Sequence, residues 1–185
     1  MKTIQLLFGL VLLLAASTIT LAQNPKYEVG GQMFSFNSNS IGFGWGMGGR
    51  FTYNVTKHIA IDSELNGFLD DEGGVTNTQA FVGAKVGVRN KLAGVFVKAR
   101  PGLMTNFAKP LPDFPTTFRT EKLNKFAMDV GAVFEFYGGS RHWTFRVDVG
   151  DVIVPFGNDP ILASGPQRLG TTHNFQYSLG VGFRF

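Results

Sequence analysis

The sequence predicts an all-β chain, an eight-stranded antiparallel up-and-down barrel, and three observations lead there. From Tyr27 onward apolar and polar residues alternate with a period of two in eight successive segments, the pattern of strands with two unlike faces. The connections alternate as well: short near 56–58, 90–92 and 138–142, long and rich in Pro, Asn, Asp and Gly near 35–41, 70–78, 106–122 and 154–172. An even number of antiparallel strands can close on itself, which removes exposed sheet edges.

Residues 1–22 stand apart from this pattern and read as a secretory leader. Lys2 supplies a positive start, residues 4–16 an apolar run too short to span a bilayer comfortably, and Thr20-Leu21-Ala22 a small-residue cleavage site. Ser17 stands where a lipoprotein would need its cysteine. The barrel is therefore expected over 23–185.

In the first segment Tyr27, Val29 and Met33 oppose Glu28, Gly30 and Gln32. In the second Phe43, Trp45, Met47, Phe51, Tyr53 and Val55 oppose Gly42, Gly44, Gly46, Gly48, Arg50 and Thr52. Gly44, Gly46 and Gly49 match a dinucleotide-binding G-x-G-x-x-G, but Phe51 and Tyr53 continue the alternation where that motif needs a helix. In the third, Ile59, Ile61 and Leu65 oppose Asp62, Glu64 and Asn66; in the fourth, Val82, Ala84, Val86 and Val88 oppose Gly83, Lys85, Gly87 and Arg89. The fifth sets Val95, Val97, Ala99 and Leu103 against Gly94, Lys98, Arg100 and Gly102. The sixth sets Phe126, Met128, Val130, Ala132, Phe134 and Phe136 against Asp129, Gly131 and Glu135. The seventh sets Trp143, Phe145, Val147 and Val149 against Thr144, Arg146, Asp148 and Gly150. The eighth sets Phe175, Tyr177, Leu179, Val181, Phe183 and Phe185 against Gln176, Ser178, Gly180, Gly182 and Arg184.

Two barrels could carry this pattern. A lipocalin-like barrel would turn the apolar face inward around a ligand, and a membrane barrel would turn it out to lipid. Bulk favours the second. Nearly all the Phe, Trp, Tyr and Met are assigned to the apolar face, more volume than an eight-stranded interior holds. The glycines at 42–48 are expected to leave room for Arg, Lys and Glu reaching in from other strands, small beside large. The aromatics fall near strand ends: Tyr27, Tyr53, Phe136, Trp143 and Phe183 at one, Phe43, Trp45, Phe126, Phe175 and Tyr177 at the other. Two aromatic girdles, one per membrane interface, are the expected result.

With its leader, its eight amphipathic segments and its ending, the chain resembles the small OmpA-like/OmpX-like outer-membrane barrels. The ending, in which Tyr177, Leu179, Val181, Phe183 and Phe185 alternate to a terminal phenylalanine, resembles that family's assembly signal. The resemblance implies an outer-membrane location in a Gram-negative-type bacterium, outer-membrane lipid around the wall, and recognition by periplasmic chaperones and the barrel assembly machinery. It also implies variable outer loops that contact surface ligands; here Phe107, Phe114, Phe118, Phe156 and Leu162 are the candidate contacts. OmpA-type proteins carry a periplasmic domain after the barrel; this sequence ends at Phe185, so cell-wall anchoring is not implied.

The polar face collects Arg50, Lys85, Arg89, Lys98, Arg100, Arg146 and Arg184 against Glu28, Asp62, Glu64, Asp129, Glu135 and Asp148. Near balance predicts charge pairs bridging the interior, because unpaired buried ions are costly; a narrow ion or solute path is the alternative. Catalysis has little support: His58, His142 and His173 lie by turns or a loop with no Ser or Asp partner close in sequence, and no metal-ligand spacing occurs. No cofactor is expected. Cysteine is absent, which excludes disulfides and thiol chemistry. Seventeen bases against 13 acids give a net +4, too small and dispersed for nucleic acid.

Overall fold

The computed structural model describes residues 25–38, 42–69, 75–106, 123–138, 142–157 and 170–185; the expected leader, 1–22, lies outside them. Eight strands follow in chain order: β1 (Tyr27–Ser38), β2 (Gly42–Asn54), β3 (Ile59–Leu69), β4 (Val75–Arg89), β5 (Ala93–Asn106), β6 (Leu123–Tyr137), β7 (Trp143–Gly157) and β8 (Gly170–Arg184). Each pairs antiparallel with the next, and β8 returns to β1, so the sheet is a closed up-and-down barrel. The seam ends with Tyr27 and Phe185 exchanging backbone hydrogen bonds of 3.0 and 2.9 Å.

The strands reach further into the long-loop end than the sequence pattern indicated. Residues 35–38, 75–78, 154–157 and 170–172 continue β1, β4, β7 and β8. The reason is that Phe36 and Val154 extend the inward alternation while the opposite face there turns polar, as at Asn37. The ladder is irregular in two places at this end, between Phe68 and Leu69 and between Pro155 and Gly157. Opposite Gly157, Gly170 takes a left-handed φ of 59°, which only glycine adopts without strain.

The faces are those of a barrel turned inside out relative to a soluble one. Val97 is 66 % exposed, Leu65 62 % and Met33 59 %, whereas Arg100, Asp62 and Lys85 are fully buried. A wall of exposed aliphatic side chains around a charged interior fits surrounding lipid rather than water. One strand breaks its ladder. Pro101 has no N–H to donate, and the β4–β5 register skips from Phe81↔Gly102 to Ala84↔Ala99. The gap falls beside Arg100.

Candidate functional site

Every inward charge sits on its strand by parity alone, and closure brings charges distant in sequence together. Arg100, from β5, is the hub. Its Nη1 lies 2.7 Å from Asp62 Oδ2 and 2.8 Å from Glu64 Oε2, both on β3. Its Nε donates to Asp129 Oδ2 on β6 at 2.8 Å, and Nη2 meets the same oxygen. Arg146, from β7, grips Asp62 with both terminal nitrogens, at 2.9 and 2.7 Å, and reaches Asp148 at 2.7 Å. Lys98 joins Asp129 at 2.7 Å and also contacts Asp148. Lys85 contacts Glu135 and stands 3.8 Å from Asp62. Four cations thus interlock with five carboxylates.

Arg50 forms a separate pair with Glu28, through Nε at 3.2 Å and Nη2 at 3.1 Å. Neutral donors complete the set: Thr52 gives Asp62 a 2.5 Å hydrogen bond, Asn66 donates to Glu64, and Tyr137 donates to Glu135 at 2.7 Å. This pairing offsets much of the cost of burying the ions, while Asp129 Oδ1 and Arg146 Nε stay buried without a hydrogen-bond partner.

Towards the long-loop end the interior changes character. Phe34, Phe36, Phe68, Phe81, Met104, Ala127, Val152 and Val154 pack there as one apolar cluster. Phe68 meets Phe34 and Phe36 edge-on, at centroid distances of 4.9 and 5.3 Å. Phe96 and Tyr137 also point inward, near the short turns. The expectation that nearly all large apolar side chains face lipid is therefore corrected: parity already put Phe34, Phe36 and Phe68 on the polar face.

The glycine reading is corrected too. A Cβ at Gly46 would collide with the Gly67 carbonyl of β3 and stand 2.7 Å from the Phe34 ring. One at Gly44 would stand 3.3 Å from Phe68, and one at Gly48 would collide with the Asn66 amide and the Leu65 carbonyl. These glycines make room for phenylalanine and asparagine rather than for charges. The charges use glycines on β8: Gly180 and Gly182 lie under the Arg50 guanidinium, Gly182 also under Glu28. Gly46→Ala is expected to cost about 1–3 kcal/mol by overpacking, measured by denaturant unfolding of the refolded barrel; a neutral effect would mean that both the Phe34 ring and the neighbouring β3 backbone at Gly67 give way freely.

The aromatic wall is uneven. Near the short turns Tyr53, Tyr27, Phe185, Phe183 and Trp143 form a chain of rings with centroids 5.3–6.5 Å apart, crossing β2, β1, β8 and β7; Phe136 follows on β6, 51 % exposed. Near the long loops, Phe43 and Phe175 share a register row through Asn37, and Trp45 and Tyr177 one through Ser35. Phe126 stands on β6, exposed. On β3, β4 and β5 no outward residue is aromatic, and Ile59, Val88 and Leu103 are among the exposed side chains there. Tyr177, Leu179, Val181, Phe183 and Phe185 line the outer face of the closing strand or its end. Phe107, Phe114, Phe118 and Leu162 lie outside the described residues, and Phe156 lies in β7.

The histidines are apart from the interior network. His58 and His142 bond through Nδ1 to the carbonyls of Gly87 and Arg184, at 2.9 and 3.1 Å. His173 does have an acidic partner, Asp151 at 2.6 Å, supplied by the β7–β8 pairing across 22 residues and therefore not visible as sequence proximity. Both are largely on the outer wall. No group of three potential metal ligands occurs among the described residues.

No protein-family model matches the sequence, and no curated protein matches it. Solved structures do match in fold. The N-terminal β-barrel domain of Pseudomonas aeruginosa OprF aligns with a TM-score of 0.59 at 14 % identity, over 89 % of this chain and all of that one. The outer membrane protein OprG of the same organism gives 0.55 at 11 %, over 88 % and 97 %. Neisserial surface protein A gives 0.52 at 11 %, over 86 % and 97 %. With its closed eight-strand meander, apolar exterior and charged interior, this chain has the fold of the small eight-stranded outer-membrane β-barrels.

Proposed function

We propose that this chain is an outer-membrane barrel of a Gram-negative-type bacterium that acts as a closed, non-catalytic scaffold and presents its long connections at the cell surface. The observation that carries this reading is the doubly filled interior. An interlocked charge layer occupies the short-turn half, and an apolar cluster built on Phe34, Phe36 and Phe68 occupies the long-loop half. A solute path would have to cross both, and an enzyme would need a nucleophile or activated water beside a base.

The connections at 107–122 and 158–169 join strands at the long-loop end, which faces outward in barrels of this kind. They are the proposed contact surface for ligands, host molecules or neighbouring cells. The barrel assembly machinery and periplasmic chaperones are the proposed partners during biogenesis, read from the closing strand that ends at Phe185. Fractionation tests the reading. The protein is expected in the outer membrane, without residues 1–22, and with a gel mobility that changes on heating; recovery as a soluble secreted protein would overturn it.

A further inference from the structure

The short-turn mouth of the barrel holds a second cluster of cations, and among the described residues no Asp or Glu lines it. A depression of about 210 Å³ opens there, lined by Lys57, Arg89, Lys91 and Arg184 together with Asn90 and Tyr137. At about 30 Å³ per water, that is room for a small oxyanion with part of its hydration shell. Inside the barrel, Arg50, Lys85, Lys98, Arg100 and Arg146 each meet at least one carboxylate. At the mouth no such pairing exists among the described residues. Arg184 is only 5 % exposed, lies 4.2 Å above the Tyr137 ring, and its Nε is buried with no acceptor. Arg89 donates one terminal nitrogen to Asn54 at 2.8 Å and faces Phe96 at 4.8 Å, and its Nε is likewise buried without an acceptor.

The carboxylates nearest in the fold are engaged elsewhere. Glu28, the register partner of Arg184, accepts from Arg50, and Glu135 is held by Lys85 and Tyr137. Arg184 is buried and Arg89 half-buried, each with a buried Nε–H that lacks an acceptor. Arg146 has such an Nε too, but its guanidinium is already neutralised by Asp62 and Asp148. The two at the mouth lack a carboxylate among the described residues, a costly state unless an anion completes them. Guanidinium forks suit phosphate geometry, and the exposed Lys57 and Lys91 add point charges at the rim.

We propose that the mouth is a binding site for a phosphate group, with Arg89 and Arg184 as the inner donors and Lys57 and Lys91 as the outer ones. On the orientation proposed above, the inward-facing leaflet presents glycerophospholipid headgroups at this level, and the space below it holds soluble phosphates; the chemistry recognised is the same. The test uses the refolded mature barrel in nanodiscs. In phosphatidylcholine discs, inorganic phosphate is titrated at constant ionic strength against chloride, with phosphorus NMR line-broadening as the readout. In a second arm the discs contain phosphatidylglycerol, and immobilisation of its phosphorus signal is measured.

Saturable phosphate binding in the first arm supports a site for soluble phosphate. Selective immobilisation of phosphatidylglycerol in the second supports a headgroup site. In either case Lys57→Gln with Lys91→Gln is expected to weaken binding by about ten-fold or more. Both lysines are exposed and outside every described pairing, so the double variant keeps its heat-dependent gel shift. Absence of saturable binding in both arms, a chloride response equal to that of phosphate, or unchanged affinity in the double variant would overturn the proposal.

Discussion

Arg100→Ala is expected to destabilise the barrel by about 3–5 kcal/mol, the cost of removing one partner from a fully buried ion network. The guanidinium contacts Asp62, Glu64 and Asp129, all essentially without solvent access. Alanine would leave three cations against five carboxylates in that interlocked set and a void where the side chain stood. Water entering from the nearer mouth would have to pass Phe96 and Tyr137, which face the interior there. Equilibrium unfolding in denaturant, with the barrel in micelles, measures the loss. Adding Asp129→Asn should recover part of it, since the two sites are directly bonded and their effects cannot be additive. A cost below about 1 kcal/mol would place Arg100 in a hydrated space, because exposed pairs contribute no more than that.

Met33→Arg probes the opposite face and is expected to cost about 2–4 kcal/mol. Met33 is midway along β1, 59 % exposed, with Met47 on one side and Leu179 on the other, and Val147 beyond. Nothing in that row can accept a guanidinium hydrogen bond from a side chain, and both interfaces are equally far for a snorkelling stem. The same unfolding assay in lipid vesicles reads the effect. An effect within about 0.5 kcal/mol, as at an ordinary water-exposed surface, would mean that this face is not in lipid.

The strand count and the two faces were legible because a half-buried strand writes itself in period two, and eight such segments with alternating connection lengths leave little besides a closed meander. The pairing inside was not legible. Asp62 and Arg146 are 84 residues apart and meet only because β3 and β7 face each other across the closed barrel. The parity of each charge is local information; its partner depends on register and shear.

The apolar layer was illegible for a different reason. Phe34, Phe36, Phe68 and Phe81 have inward parity, but averaging the polar face over whole strands hides a change in composition along them. The glycines of β2 were the available signal: a run of small residues on one inner face implies something large opposite, and Phe34 and Phe68 are close at hand on the flanking strands. His173 and Asp151 show the same limit on the outer wall, since neither is near the other until β7 and β8 pair.

The central claim is that the interior is closed. Recording from single refolded barrels in planar lipid bilayers tests it most directly, because current depends on a continuous aqueous path and on nothing else. The charge layer and the apolar cluster together predict no steady conductance from the wild-type barrel at either polarity. Stable, ohmic single-channel steps that persist across preparations would contradict the closed interior and make the chain a narrow pore.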